Sequence, residues 1–141
     1  MGNAVGQRRW ATPMAVRPRS IIFSAMPHSQ FIVGVDLGGT NIVVCAMSAD
    51  GSQQHGLRSE PTRAEEGADG VIARMARMVN ETVEITMQEA GVTRDAFRGV
   101  GIGAPGPLDR EAGIVLVAPN LGWHNVPLRD RITALTGLPA A

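Results

Sequence analysis

Residues 31–41, Phe-Ile-Val-Gly-Val-Asp-Leu-Gly-Gly-Thr-Asn, constrain this chain more than any other stretch. The apolar, β-branched opening suits a buried strand. Asp36 stands where that strand should end. Gly38 and Gly39 follow, and two adjacent glycines let the backbone turn sharply and approach a ligand closely. Thr40 adds a hydroxyl, and residues 42–48 resume a strand. The expected product is a hairpin whose tip offers backbone N–H groups, a hydroxyl and a carboxylate. Such a tip can cradle phosphate, and its carboxylate can hold Mg²⁺, usually through water. The same residues also describe an ordinary Gly-Gly hairpin capped by an Asp, so this stretch alone leaves both readings open.

Two familiar phosphate loops are excluded. Walker A requires a Lys, and all thirteen basic residues of this 141-residue chain are Arg. The dinucleotide fingerprint requires glycines that open a helix, whereas Gly38 and Gly39 lead into another strand. Gly99, Gly101 and Gly103 alternate, but Pro105 and Pro107 follow them and prevent a helix from starting there.

Composition sets outer bounds. The length suits one domain, and a hydrophobic fraction of 44% is that of a globular protein. No apolar run approaches the ~20 residues of a membrane span. The net charge is zero, which points neither to nucleic acid nor to a membrane surface. A single cysteine, Cys45, excludes an internal disulfide framework and fits a reducing, cytoplasmic compartment. Its expected role is that of a small buried hydrophobe in a strand.

Residues 1–30 lack periodicity, are Arg-rich and acid-free, and contain Pro13, Pro18 and Pro27. They read as a disordered leader or an over-extended start, with Met26 as the natural first residue. Strands are then expected over 31–36, 42–48 and 53–59, the last polar enough for a sheet edge, with Asp50-Gly51 as a hairpin turn. A long helix is expected over 69–90, with Asp69 as its cap and Gly91 as its left-handed stop. Ile72, Met75, Val79 and Val83 give it one apolar face, and Arg77 and Glu81 face solvent together. Further strands are expected over 97–102 and 114–117. A turn over 109–113, a loop over 119–125 and a short helix over 127–135 complete the reading. His55 is expected as an exposed strand residue and His124 as a loop residue.

Three stretches together resemble the ROK family of sugar kinases and repressors, in the actin-like ATPase superfamily. Gly34-Val35-Asp36-Leu37-Gly38-Gly39-Thr40-Asn41 is similar to its first phosphate motif. Gly99-Val100-Gly101-Ile102-Gly103-Ala104-Pro105-Gly106-Pro107-Leu108-Asp109 is similar to its Gly-rich segment beside the sugar. Ala118-Pro119-Asn120-Leu121-Gly122-Trp123 is similar to its sugar-binding Pro-Asn-Leu-x-Trp segment. The resemblance begins at residue 31 and covers only the family's N-terminal half.

The resemblance implies an α/β, ribonuclease-H-like half-fold with a mixed sheet and an antiparallel three-stranded start, truncated before its end. Residues 31–141 would be an incomplete N-terminal lobe. The implied activity is ATP-dependent phosphorylation of a hexose, glucokinase-like. Asp36 would sit near Mg²⁺, and Gly38, Gly39 and Thr40 near the ATP phosphates. Gly103, Ala104, Pro105 and Gly106 would place backbone against the sugar. Asn120 would bind sugar hydroxyls, and Trp123 would offer an apolar face to the ring. From the residues alone, Asn120 is equally a turn former after Pro119. Asn41 departs from the family, many members of which carry Lys there.

The family's catalytic Asp follows Gly-Leu-Pro and a strand, and this chain ends at Gly137-Leu138-Pro139-Ala140-Ala141. The fragment is therefore expected to be inactive, with an unpaired edge on its fourth strand. Structural zinc would belong to the missing C-terminal part, and homo-oligomerisation to the full-length protein. No membrane or nucleic-acid partner is expected. Two alternatives remain: a fragment of a sugar-sensing ROK-type transcriptional repressor, and a stand-alone binding domain. Asp109 is a tempting general base, but residues 108–113 read as a solvated turn and the family does not use it.

Overall fold

The computed structural model describes residues 30–141; residues 1–29 of the expected leader lie outside the described residues. Alternation of apolar and small or polar residues builds three consecutive antiparallel strands: β1 (Phe31–Leu37), β2 (Asn41–Ser48) and β3 (Gln54–Pro61). On β1 the odd-numbered residues Phe31, Val33, Val35 and Leu37 are buried, and on β2 Ile42, Val44 and Ala46 join them. A period of two therefore gives the sheet one buried face.

The helix α1 (Gly67–Ala90) crosses that face and delivers the chain to β4 (Phe97–Gly103), which lies parallel to β1. The sheet order is β3-β2-β1-β4. The expected apolar face of α1 is the one that packs, with Ile72, Met75, Val79 and Val83 fully buried. Burial of each such side chain stabilises by about 1.5–3 kcal/mol. The helix begins two residues earlier than expected. Glu66 stands at the N-cap without a side-chain bond to the helix backbone, and Asp69 lies in the first turn instead of capping it. Gly91 ends the helix in the left-handed conformation, as expected.

A second, three-stranded sheet follows: β5 (Leu108–Asp109), β6 (Ile114–Ala118) and β7 (Trp123–Val126). The sequence reading made residues 119–125 a loop. Instead Pro119–Leu121 form a 3-10 turn, and Trp123–Val126 pair antiparallel with β6. Burial drives this pairing, because Trp123 and Val126 both enter the core. The short helix α2 (Leu128–Thr136) packs beside α1, with Pro127 at its N-cap position.

Two further expectations are corrected. The outer edge of β4 is not left unpaired. Val100 N–H donates to the Pro139 carbonyl at 2.8 Å, Ala141 N–H to Val100 at 2.9 Å, and Ile102 N–H to Ala141 at 2.8 Å. Residues 139–141 thus form an isolated parallel bridge beside β4, with Ala140 opposite Val100. Cys45 is half-buried, on the face of β2 opposite Val44 and Ala46, so it is not a core side chain. Among the described residues, no helix is long and apolar enough to cross a membrane.

Candidate functional site

The site is built where β1 and β4 end side by side. Asp36 is the next-to-last residue of β1 and projects from the face opposite Val35 and Leu37, so its carboxylate is exposed. Its parallel neighbour on β4 is Gly103. A Cβ placed at Gly103 would lie 3.7 Å from Asp36 Oδ1. The absent side chain therefore leaves the space beside the carboxylate open.

The turn from β1 to β2 is Gly38, Gly39 and Thr40. Gly38 N–H donates to the Asn41 carbonyl at 2.9 Å, which closes the turn. A Cβ at Gly38 would meet that same carbonyl oxygen at 2.8 Å, so only glycine fits without movement. Gly39 and Thr40 are exposed. Asn41 is also exposed, as the first residue of β2.

The Gly-rich segment after β4 turns back towards the second sheet. Gly106 has φ +87°, and a Cβ there would come within 2.0 Å of the Val117 carbonyl oxygen. Backbone-on-backbone contact thus docks residues 104–106 against the end of β6. Ala118 and Leu121 are buried anchors on either side of the exposed pair Pro119 and Asn120. They hold Asn120 against the β1–β2 turn: a Cβ at Gly39 would lie 3.3 Å from Asn120 Cβ and 3.7 Å from its Nδ2. The fold therefore gathers Asp36, the Gly38-Gly39-Thr40 turn, the 103–106 segment and Asn120 on one exposed shelf.

Not every candidate belongs there. Trp123 is 1% exposed, so its indole fills the core and offers no face to a ligand. His55 is not an exposed strand residue. Its side chain is 16% exposed, its Nδ1 lies 2.7 Å from Glu89 Oε2, and its ring meets Phe31 edge-on at the opposite end of β1 from Asp36. His124 is exposed, but on β7 rather than in a loop. A cavity of about 650 Å³ opens beside Gly103 and Ala104, bounded further by Asp109, Arg129 and Ala141. Asp36, Gly39, Thr40 and Asn120 do not line it. Asp109 is exposed, and its Oδ1 accepts the Ala112 N–H at 2.9 Å within the turn.

One participant escaped the sequence reading. Thr62, in the polar loop after β3, is fully buried and bonds to both Gly38 and Thr40. A Thr after a Pro in a polar loop carries no local sign of this.

The donor set suits Mg²⁺ held on a nucleotide. Mg²⁺ keeps several waters and is usually bound through one or two carboxylates plus substrate phosphates. One exposed carboxylate with an open space beside it meets that need. Among the described residues, no three His, Cys, Asp or Glu side chains gather closely enough to form an all-protein cage.

Residues 32–141 match the ROK family. The glucokinase of Thermotoga maritima is 41% identical over 107 residues, which are 75% of this chain and 31% of that protein. The xylose repressor of Caldicellulosiruptor bescii is 33% identical over 108 residues, 77% of this chain and 26% of that one. Among solved structures, a ROK family glucokinase from Streptomyces griseus, in complex with glucose and AMPPNP, superposes with a TM-score of 0.63 at 29% identity. That match covers 79% of this chain and 32% of the other. The chain spans between a quarter and a third of the length of the curated relatives it matches.

Proposed function

Because this chain belongs to the ROK family, we propose that residues 31–141 are the N-terminal portion of an ATP-dependent hexose kinase. The observation that carries this reading is the approach of Asn120 to Gly39, at 3.3 Å from a Cβ built there. It puts the segment suited to sugar hydroxyls against the turn suited to phosphate, as transfer between the two requires. A kinase from the same family, bound to glucose and AMPPNP, shares the fold of this portion.

In this reading Asp36 faces the metal and phosphate side. Bound Mg²⁺ neutralises charge that develops on the phosphoryl oxygens. Gly39, Thr40 and the Thr40 hydroxyl supply uncharged donors to the phosphates. Asn41 adds no cation there. Gly103 to Gly106 bring backbone against the sugar, and Asn120 donates and accepts hydrogen bonds with its hydroxyls. Positioning of the two reactants is the main contribution of this portion.

A repressor that senses sugar without phosphorylating it is the second reading, supported by the 33% identity to the xylose repressor. The test applies to the complete polypeptide that carries this chain. It is supplied with ATP, Mg²⁺ and a panel of hexoses, and ADP release is followed. Hexose-dependent ADP release that is lost in Asp36→Ala supports the kinase. Hexose binding without ADP release favours the repressor.

A further inference from the structure

Thr62 carries no reactive chemistry, yet it is tied to the candidate phosphate turn at two points. Its Oγ1 donates to the Gly38 carbonyl at 2.7 Å, and its backbone N–H donates to the Thr40 carbonyl at 2.8 Å. Its own carbonyl accepts from Arg74 Nη1 at 2.7 Å. Arg74 is itself held, with Nη2 2.5 Å from Glu66 Oε2 and a side chain only 12% exposed. A continuous set of bonds therefore runs from the first turns of α1 through Arg74 and Thr62 to the tip of the β1–β2 hairpin.

The peptide between Gly38 and Gly39 is the sensitive part. Glycine on both sides gives it the widest choice of dihedral angles, and its orientation is decided by what its polar atoms bond to. The bond is trans, as are all the described peptides. A trans peptide directs its C=O and its N–H to opposite sides. With the Gly38 carbonyl turned to the buried Thr62 hydroxyl, the Gly39 N–H must turn away from it, towards the side where Gly39 and Thr40 are exposed. Without that hydroxyl, the Gly38 carbonyl loses the side-chain donor that holds it in this orientation.

We propose that Thr62, held by Arg74, is a positioning residue for nucleotide phosphate: its hydroxyl fixes the Gly38–Gly39 peptide so that the Gly39 N–H is aimed at a phosphate oxygen. This deepens the kinase reading above and rests on it.

Two substitutions separate positioning from plain support. Thr62→Val keeps the branched shape and removes the hydroxyl. Thr62→Ser keeps the hydroxyl and removes the methyl from a fully buried site. Both should lower Tm. Titration of the complete polypeptide with Mg²⁺-AMPPNP should show Kd raised about five- to tenfold in Thr62→Val, the worth of one hydrogen bond, and nearly unchanged in Thr62→Ser.

Equal nucleotide losses in the two variants, in step with Tm, would make Thr62 structural only and overturn the proposal. So would wild-type nucleotide affinity in Thr62→Val. Asp36→Ala serves as the reference, because it should lose the Mg²⁺-dependent gain in AMPPNP affinity. If it keeps that gain, the kinase reading fails and takes this inference with it. If it loses the gain while Thr62→Val binds normally, only the role of Thr62 fails.

Discussion

Gly39 and Asn120 are 81 positions apart in sequence and meet closely: a Cβ at Gly39 would stand 3.3 Å from Asn120 Cβ, tighter than an ordinary contact. In the proposed reading the first belongs to the phosphate turn and the second to the sugar segment, and their contact should couple a change at one to the other. Gly39→Ala should push the Pro119–Leu121 turn by a few tenths of an ångström. Glucose affinity is expected to fall by ~1 kcal/mol, about fivefold. Calorimetric titration of the complete polypeptide checks this, and unchanged glucose affinity would mean that the two segments are not coupled.

Asp36 and Asn120 lie on the same shelf but should fail differently. Asp36→Ala removes the carboxylate on the metal side. Turnover is expected to drop on the order of 10²–10³-fold, the usual scale for losing one electrostatic contact to the transition state, with glucose affinity nearly intact. Asn120→Ala removes two-way hydrogen bonding, and glucose Kd should rise about tenfold. Steady-state kinetics together with direct sugar binding separate the two. An Asn120→Ala variant with wild-type sugar affinity would remove that loop from the site.

Gly106→Ala is expected to be among the most destabilising single changes in the chain, by about 3 kcal/mol. Its φ of +87° disfavours any side chain, and the added Cβ would stand 2.0 Å from the Val117 carbonyl oxygen. That oxygen belongs to β6 and cannot retreat alone. Because β6 leads directly into Pro119 and Asn120, sugar affinity should fall with stability. Urea denaturation gives the first quantity and titration the second.

What could be read in advance, and what could not, divides by the range of the forces involved. β1, β2 and α1 were legible because each carries its own period of apolar residues. The clustering of Asp36, Gly39, Gly103 and Asn120 was legible only as three resembling motifs, since spacing in sequence does not bring them together. β7 was missed because Pro119, Gly122 and Pro127 punctuate the stretch. Its burial pattern, with Trp123 and Val126 inside and His124 and Asn125 outside, does not alternate. Trp123 was assigned to a ligand because an aromatic in a polar loop has no local partner, whereas β6 and the core supply one. The placement of Thr62 and the bridge at residues 139–141 rest on partners distant in sequence, among them Gly38 and Val100.

Asp50 offers a pH test of the β2–β3 turn. Its carboxylate accepts from Ser48 Oγ at 2.7 Å, from Ser52 Oγ at 2.8 Å and from Ser52 N–H at 3.0 Å. The Ser48 bond first, and then those from Ser52, lower its pKa from 3.8 to about 2. A depressed carboxylate stabilises the fold fully above its unfolded pKa, and the contribution is lost as pH falls from 3.8 through about 2. A carboxyl-detected NMR titration should find Asp50 half-protonated near pH 2, and Ser48→Ala should raise that midpoint. A midpoint at the ordinary Asp value would show that these bonds do not form.

The 141-residue chain by itself is expected to show no hexose-dependent ADP release. Phosphoryl transfer to a sugar hydroxyl needs a base for the hydroxyl proton, and losing such a base typically costs ~10²–10⁴-fold. In the proposed reading Asp36 serves the metal side and is not available as the base. Asp109 borders the cavity next to Gly103, but its Oδ1 already accepts the Ala112 N–H at 2.9 Å and closes a solvated turn. Residues 139–141 cover the edge of β4, so the chain should fold well enough for the assay to be meaningful. Purified residues 26–141 would be mixed with ATP, Mg²⁺ and hexoses, and ADP followed. Hexose-dependent release abolished by Asp36→Ala would refute the prediction and require a base within the chain. Asp109→Asn is then the deciding variant: loss of activity would assign the proton to Asp109, and retention would clear it.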